Sequence, residues 1–336
     1  MLTTVDVLIG AGRIRGRRVS PEVVAHLGIS YAAPPFGPLR FAPPQPAASW
    51  SGTRDGTRFG PVAPQLATID GMPSWRPGDE DVLTVNVRAP VGARDLPVLF
   101  WVHGGANAFG SGSQRDFDGT ALAGTGLVVV TGNHRLGFEG FGHVDGFPAN
   151  RGLLDLAAAL TWVRAEIAAF GGDPCSVTAA GQSSGATAVA CLTGTGLLDR
   201  AILCSPPDLH LTPAEARELA EGVPLGTPEE VARASDRLGL TYQPVLEANP
   251  LSTVAADVPL LLSHTAHEEP LFTEPVRALF ARHAHTRLLR FAVPPARHND
   301  DIAYAFGHRA DTRLRDVWTR FATTGDPGWV GESVLA

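Results

Sequence analysis

At 336 residues the chain is long enough for one large α/β domain or two small ones. A net charge of −7 and a pI near 5.9 argue against a nucleic-acid partner held by a basic surface. None of its 27 basic residues is a lysine, which excludes Schiff-base, PLP-dependent and Ser–Lys mechanisms that need a protein amine. The three cysteines, Cys175, Cys191 and Cys204, form no C-x-x-C and read as free, mostly buried thiols suited to a reducing cytoplasm. Residues 1–18 lack the basic and then apolar stretches of a signal peptide, and no apolar run reaches bilayer-spanning length. The expectation is a soluble cytoplasmic protein with no membrane insertion.

Residues 1–60 are rich in Gly, Pro and Arg, with short extended pieces such as 23–27. Proline supplies no N–H and restricts its predecessor, so 31–35 and 41–44 read as loop or extended chain. Residues 83–87 alternate as a half-buried strand should. PVLFWV, at 97–102, and GLVVVT, at 126–131, are continuous apolar runs suited to strands covered on both faces. Residues 153–170 carry helical periodicity through Leu156, Leu160, Val163 and Ile167 and stop at Gly171-Gly172. A strand at 176–180 and a helix at 186–192 follow, then strands at 201–204, 259–262 and 287–293. A closing helix is expected over 311–323, with Leu314, Val317, Trp318 and Phe321 on one face. Short apolar strands alternating with helices predict a mostly parallel α/β sheet. The 206–255 segment, rich in Pro, Glu and Ala, reads as a helical insertion covering the site.

Between the 176–180 strand and the 186–192 helix lies Gly181-Gln182-Ser183-Ser184-Gly185, a nucleophile-elbow pattern. So tight a turn requires small residues beside the serine, and the following helix aims unpaired N–H groups at the same spot. A serine hydroxyl also needs a base, an orienting acid and oxyanion donors. Among eleven histidines, His298 follows the 287–293 strand and a Pro-Pro turn late in the chain; His308 lies further from the strand end. Glu268 and Glu269 both follow the 259–262 strand, whereas Asp257 precedes it. Asp300 and Asp301 are too near His298 in sequence for the orienting acid, though one can support it. The 97–102 strand runs into His103-Gly104-Gly105-Ala106, where paired glycines let backbone N–H groups approach a ligand. Gly105, Ala106 and Ser184 are the expected oxyanion donors.

Further blocks extend over nearly the whole chain. They are Gly28-Ile29-Ser30-Tyr31-Ala32 with Leu39-Arg40-Phe41, Glu80 to Val87, the loop from His103 to Gly112, Asn150 to Asp155, and Ala168 to Pro174 leading to the elbow. Together they resemble the type B carboxylesterase (cholinesterase-like) family of α/β-hydrolases, as a shortened bacterial member. The resemblance implies an α/β-hydrolase fold with reduced cap and gorge insertions, in a single domain over 1–336. Ser183 matches the nucleophile of the family's G-E-S-A-G. Aligning Leu261-Leu262-Ser263 with the family's L-L-G puts the acid on Glu268, and His298 opens the base motif, with Ala303 in place of its proline.

Several positions depart from the pattern. Gln182 and Ser184 replace Glu and Ala in the elbow, and Val82 replaces a cysteine that is disulfide-bonded in secreted relatives. Asn107 replaces an aromatic beside the oxyanion loop; with Gly104 it is the expected substrate-binding position, making the acyl pocket more polar. His264 and His267 flank the acid and are placed to redirect its hydrogen bonds. The interval between acid and base is shorter than in the family, which predicts a shallower, more open site.

The implied activity is carboxylic-ester hydrolysis through an acyl-enzyme, on a small-molecule ester, with no metal or organic cofactor. The alternatives are a biosynthetic acyltransferase, thioesterase or cyclase using the same three residues, or a non-catalytic cholinesterase-like binding module.

Overall fold

A computed structural model describes residues 3–66, 71 and 73–336. In it β1 (Thr4–Ile9) and β2 (Gly12–Arg18) form an antiparallel hairpin, followed by β3 (Val23–Ser30), the short β4 (Thr53–Asp55) and β5 (Thr84–Pro90). The chain continues through β6 (Leu96–Val102), α1 (Thr120–Ala123), β7 (Val128–Gly132), α2 (Gly137–Phe141) and α3 (Arg151–Glu166). Next come β8 (Gly172–Gln182), α4 (Ser184–Leu192), β9 (Arg200–Cys204), α5 (Pro213–Ala220) and α6 (Pro228–Arg237). The last third holds β10 (Leu260–Thr265), α7 (Pro270–Arg282), β11 (Thr286–Phe291), α8 (Ile302–Ala305), α9 (Arg313–Thr324) and β12 (Glu332–Leu335).

The described strands form one sheet in the order β1-β2-β3-β5-β7-β6-β8-β9-β10-β11-β12, with β4 beside β2. From β7 to β12 every neighbouring pair is parallel, and helices occupy the crossovers, as parallel pairing requires. The β1 to β7 side is antiparallel, apart from β4 on β2. This is the mostly parallel α/β sheet expected from the alternating apolar runs.

Alternation along the central strands divides the core between the two faces of the sheet. On β6, Val98, Phe100 and Val102 enter one apolar cluster while Leu99 and Trp101 enter the other, where Trp101 packs against Trp318 of α9. The same division separates Leu260 and Leu262 from Leu261 on β10. β5 differs from the half-buried strand expected of it, because Thr84 through Ala89 are all buried. Its polar side is covered, and Asn86 accepts from Gly28 N and donates to Thr131 Oγ1.

Four strands and four helices among the described elements lie outside the sequence expectations: β1, β2, β4, β12, α1, α2, α7 and α8. β2 reads GRIRGRR, with Ile14 as its one large buried side chain, so periodicity leaves no signal there. β12 is a four-residue edge held by parallel pairing to β11.

Within 206–255, α5 and α6 each begin with a capping box, Thr212 with Glu215 and Thr227 with Glu230. α6 packs on α2, and Asn150 and Val245 exchange hydrogen bonds of 2.7 Å. No helix among the described residues is long and apolar enough to cross a membrane.

Candidate active site

Ser183 sits between the end of β8 and the start of α4, with φ 54° and ψ −128°, a backbone region that non-glycine residues occupy only under constraint. The constraint is visible on both sides. A Cβ on Gly181 would strike the backbone of Gly185, and a Cβ on Gly185 would strike the carbonyl oxygens of Val102 and His103 at the end of β6. The small residues of the elbow therefore let the β8–α4 turn pack against the β6 terminus. Ser183 N donates to the Cys204 carbonyl at 2.9 Å, fixing the turn to β9.

β10 and β11 bring the remaining groups to this sheet edge. His298 Nδ1 lies 2.7 Å from Glu268 Oε1, and the other carboxylate oxygen accepts from Ser205 Oγ at 2.9 Å and Thr265 N at 3.0 Å. The Glu268 side chain is fully buried, whereas His298 is 29% exposed and faces the cleft. A carboxylate opposite Nδ1 places the ring hydrogen on that nitrogen and leaves the lone pair on Nε2. Phe272 of α7 stacks on the imidazole with ring centroids 4.0 Å apart.

Of the two adjacent glutamates, Glu269 is the N-cap of α7, so it is Glu268 that meets His298. His308 bonds to the Asp116 carbonyl instead. His264 and His267 bond to the carbonyls of Thr265 and Pro295, and the donors to the Glu268 carboxylate are Ser205, Thr265 and His298. Asp300 accepts from Arg297 N. Asp301 is buried, and burial together with the Glu268 charge pushes its carboxyl up to about 7, His298 opposing the shift.

A cleft of about 770 Å³, open to solvent, contains Gly104, Gly105, Ala106, Ser183 and His298. Gly105 and Ala106 adopt positive φ, at 114° and 52°, as the loop turns over the elbow. Asn107 is a correction to the sequence reading, because it is turned away from this cleft. Its side-chain amide donates to the Tyr242 carbonyl at 2.9 Å, and its backbone N–H donates to Ser184 Oγ at 3.3 Å. Buried away from solvent, the amide needs a protein acceptor, and the Tyr242 carbonyl supplies it. Residues 206–255 contribute none of the described lining and lie beside the loop after β6, through the Tyr242 carbonyl that Asn107 meets.

Three participants escaped the sequence reading. Ser205, at φ 50° after β9, and Phe272 carry no local signature, and both reach the site through long-range contacts. The third is the Gln182 side chain: singled out in sequence as a departure, it proves to contact His298 Nε2 at 2.9 Å. Among the described residues no group of three His, Cys, Asp or Glu side chains is arranged to hold a metal.

Comparison with known proteins agrees with this architecture. A carboxylesterase family model matches residues 3–221. A fumonisin B1 esterase from Sphingopyxis macrogoltabida is 35% identical over 318 residues, covering 82% of this chain and 58% of that protein. A para-nitrobenzyl esterase from Bacillus subtilis is 36% identical over 292 residues, covering 74% of this chain and 60% of that protein. The chain thus spans about 60% of the length of these curated relatives. A PNB esterase structure superposes with a TM-score of 0.88 at 28% identity, covering 98% of this chain and 92% of the other. A carboxylesterase structure from Geobacillus stearothermophilus gives 0.83 at 29% identity, covering 97% and 92%. With the α/β-hydrolase sheet, the elbow on β8 and the loop after β6 all in place, the chain belongs to the carboxylesterase family.

Proposed function

We propose that this protein is a serine hydrolase that cleaves small carboxylic esters through an acyl-enzyme. The observation that carries the reading is the line from buried Glu268 through His298 into the cleft that holds Ser183. In this scheme His298 Nε2 takes the Ser183 proton as Oγ attacks the ester carbonyl, and returns it to the departing alkoxide. Glu268 holds the Nδ1–H tautomer and stabilises the imidazolium. The backbone N–H groups of Gly105, Ala106 and Ser184 receive the oxyanion, and Gly104 lines the cleft that takes the substrate. Water activated by the same histidine then releases the acid.

The whole chain acts as one domain in this reading, with 206–255 as a cap-like insertion that braces the oxyanion loop. The net charge of −7 supports a small-molecule partner over nucleic acid, and the free, exposed Cys175 supports a cytoplasmic location. The openness of the cleft favours one second reading, in which an acceptor other than water takes the acyl group.

Hydrolysis of short- and medium-chain p-nitrophenyl esters by wild type and Ser183→Ala tests the proposal. Turnover with a burst of one acyl group per site, lost in the variant, is the expected result. A folded wild type that neither turns over nor is labelled at Ser183 by a fluorophosphonate would overturn it.

A further inference from the structure

Phe109 lies where two cavities meet. One is the cleft that holds Ser183 and His298; the other, of about 180 Å³, lies between the loop after β6, α2 and α6. Among the described residues Phe109 alone borders both. Its backbone is fixed, because the N–H groups of Ala108 and Phe109 both donate to the Gly105 carbonyl, at 2.9 and 3.1 Å. Its ring reaches back over Gly105, where an added Cβ would lie 3.1 Å from Cδ2. Gly105 is one of the proposed oxyanion donors, so the ring stands beside the place assigned to the ester carbonyl.

The second cavity is walled by the buried side chains of Leu136, Phe138 and Val231, with Leu240 beside them. Its polar lining is largely occupied: Glu139 pairs with Arg40, Ser235 Oγ donates to the Val231 carbonyl, and the Gln65 amide exchanges hydrogen bonds with Gly110. Asp236, the other charged group of the lining, is solvent-exposed. What the interior offers a ligand is apolar surface, which suits hydrocarbon.

We infer that Phe109 is a specificity-determining residue: its ring ends the acyl subsite and shuts off the second cavity, so that short acyl groups are preferred and loss of the ring admits longer hydrocarbon ones. The inference rests on the serine-hydrolase reading and names the acyl class that site takes. In that mechanism His298 returns a proton to the departing alkoxide, which places the alcohol arm on the 294–309 side of the cleft. The acyl arm is left with the side formed by the loop after β6. Asn107, the residue expected at that wall, turns to Tyr242, and Phe109 takes its place.

The test is kcat/KM along a p-nitrophenyl ester series from acetate to laurate, for wild type, Phe109→Ala, and Phe109→Ala combined with Ala232→Phe, which fills the second cavity from α6. Wild-type activity should fall as the acyl chain lengthens. Phe109→Ala should raise the octanoate-to-acetate ratio, by about fourfold for each methylene the cavity takes in, and the added Ala232→Phe should bring the ratio back. A wild type indifferent to acyl length, a ratio unchanged in Phe109→Ala, or a gain that survives Ala232→Phe would overturn the inference. If Phe109→Ala does not fold, Phe109→Val also removes the ring and gives the same comparison. Binding of octanoate relative to acetate, followed by NMR titration of the three proteins, needs no turnover and should show the same gain and reversal. An inactive wild type with that binding pattern would count against the proposed function and not against the partition.

Discussion

Arg135 and Asp155 form a two-pronged ion pair in which both side chains are fully buried: Nε reaches Oδ2 and Nη2 reaches Oδ1, each at 2.8 Å. The Arg135 backbone N–H adds a third bond to Oδ2 at 2.9 Å, and Nη1 donates to the Ala42 carbonyl. The pair ties the chain before α2 to α3 and to the loop after β3. Removing one partner from such a pair strands a buried charge. Asp155→Asn should therefore cost about 3–5 kcal/mol, seen as a lower midpoint in chemical denaturation. A loss within the range of ordinary surface substitutions would mean that the guanidinium finds other acceptors.

At the start of the loop after β6, His103 stacks on His134 with ring centroids 4.9 Å apart. Burial pushes His103 down from 6.5 to about 4, against the pull of its bond to the Gly104 carbonyl, and burial then the neighbouring His103 push His134 well below its ordinary value. The unfolded chain takes up these protons near pH 6.5 and the native state only lower. Stability should therefore fall as pH drops from about 6.5 towards 4, by roughly 3 kcal/mol for His103. His134→Phe, which removes one of the two groups, should flatten that slope in denaturation curves taken between those pH values; an unaltered slope would place the loss elsewhere.

Asp301 has the opposite sign. Its carboxyl is raised from 3.8 to about 7, first by burial and then by the Glu268 charge. The native state thus keeps a proton that the unfolded chain has released. Its contribution to stability is complete below pH 3.8 and is lost as pH rises to about 7, a cost of about 4 kcal/mol. Asp301→Asn, neutral at every pH, should gain on wild type progressively across this interval. A difference curve that stays flat between pH 4 and 7 would show that Asp301 is ionised throughout.

Ser205 Oγ gives the Glu268 carboxylate one of its three hydrogen bonds. Hydrogen bonds to charged groups contribute about 1.5–3 kcal/mol. Under the proposed mechanism, Ser205→Ala should lower kcat roughly ten- to hundredfold, with KM nearly unchanged, because Ser205 is not part of the cleft lining. Steady-state kinetics on a p-nitrophenyl ester checks this. A rise in KM at constant kcat would assign Ser205 to substrate binding.

Local sequence by itself determined the elements whose causes are local. The apolar runs of β6 and β7, the periodicity of α3 and the close-packed β8–α4 elbow follow from alternation, helical spacing and the absence of a Cβ on Gly181 and Gly185. The fold class and the position of Ser183 were legible for that reason. Only the tertiary structure decided that Glu268 and not Glu269 meets His298, that Asn107 turns to Tyr242, and that Gln182 touches a ring 116 residues away. It also decided that the Gly- and Arg-rich start of the chain pairs into β1 and β2. Adjacent carboxylates are chemically equivalent until a strand end and a helix start orient them. A polar side chain takes whichever partner the packed chain brings within about 3 Å, and sequence spacing carries no record of that choice.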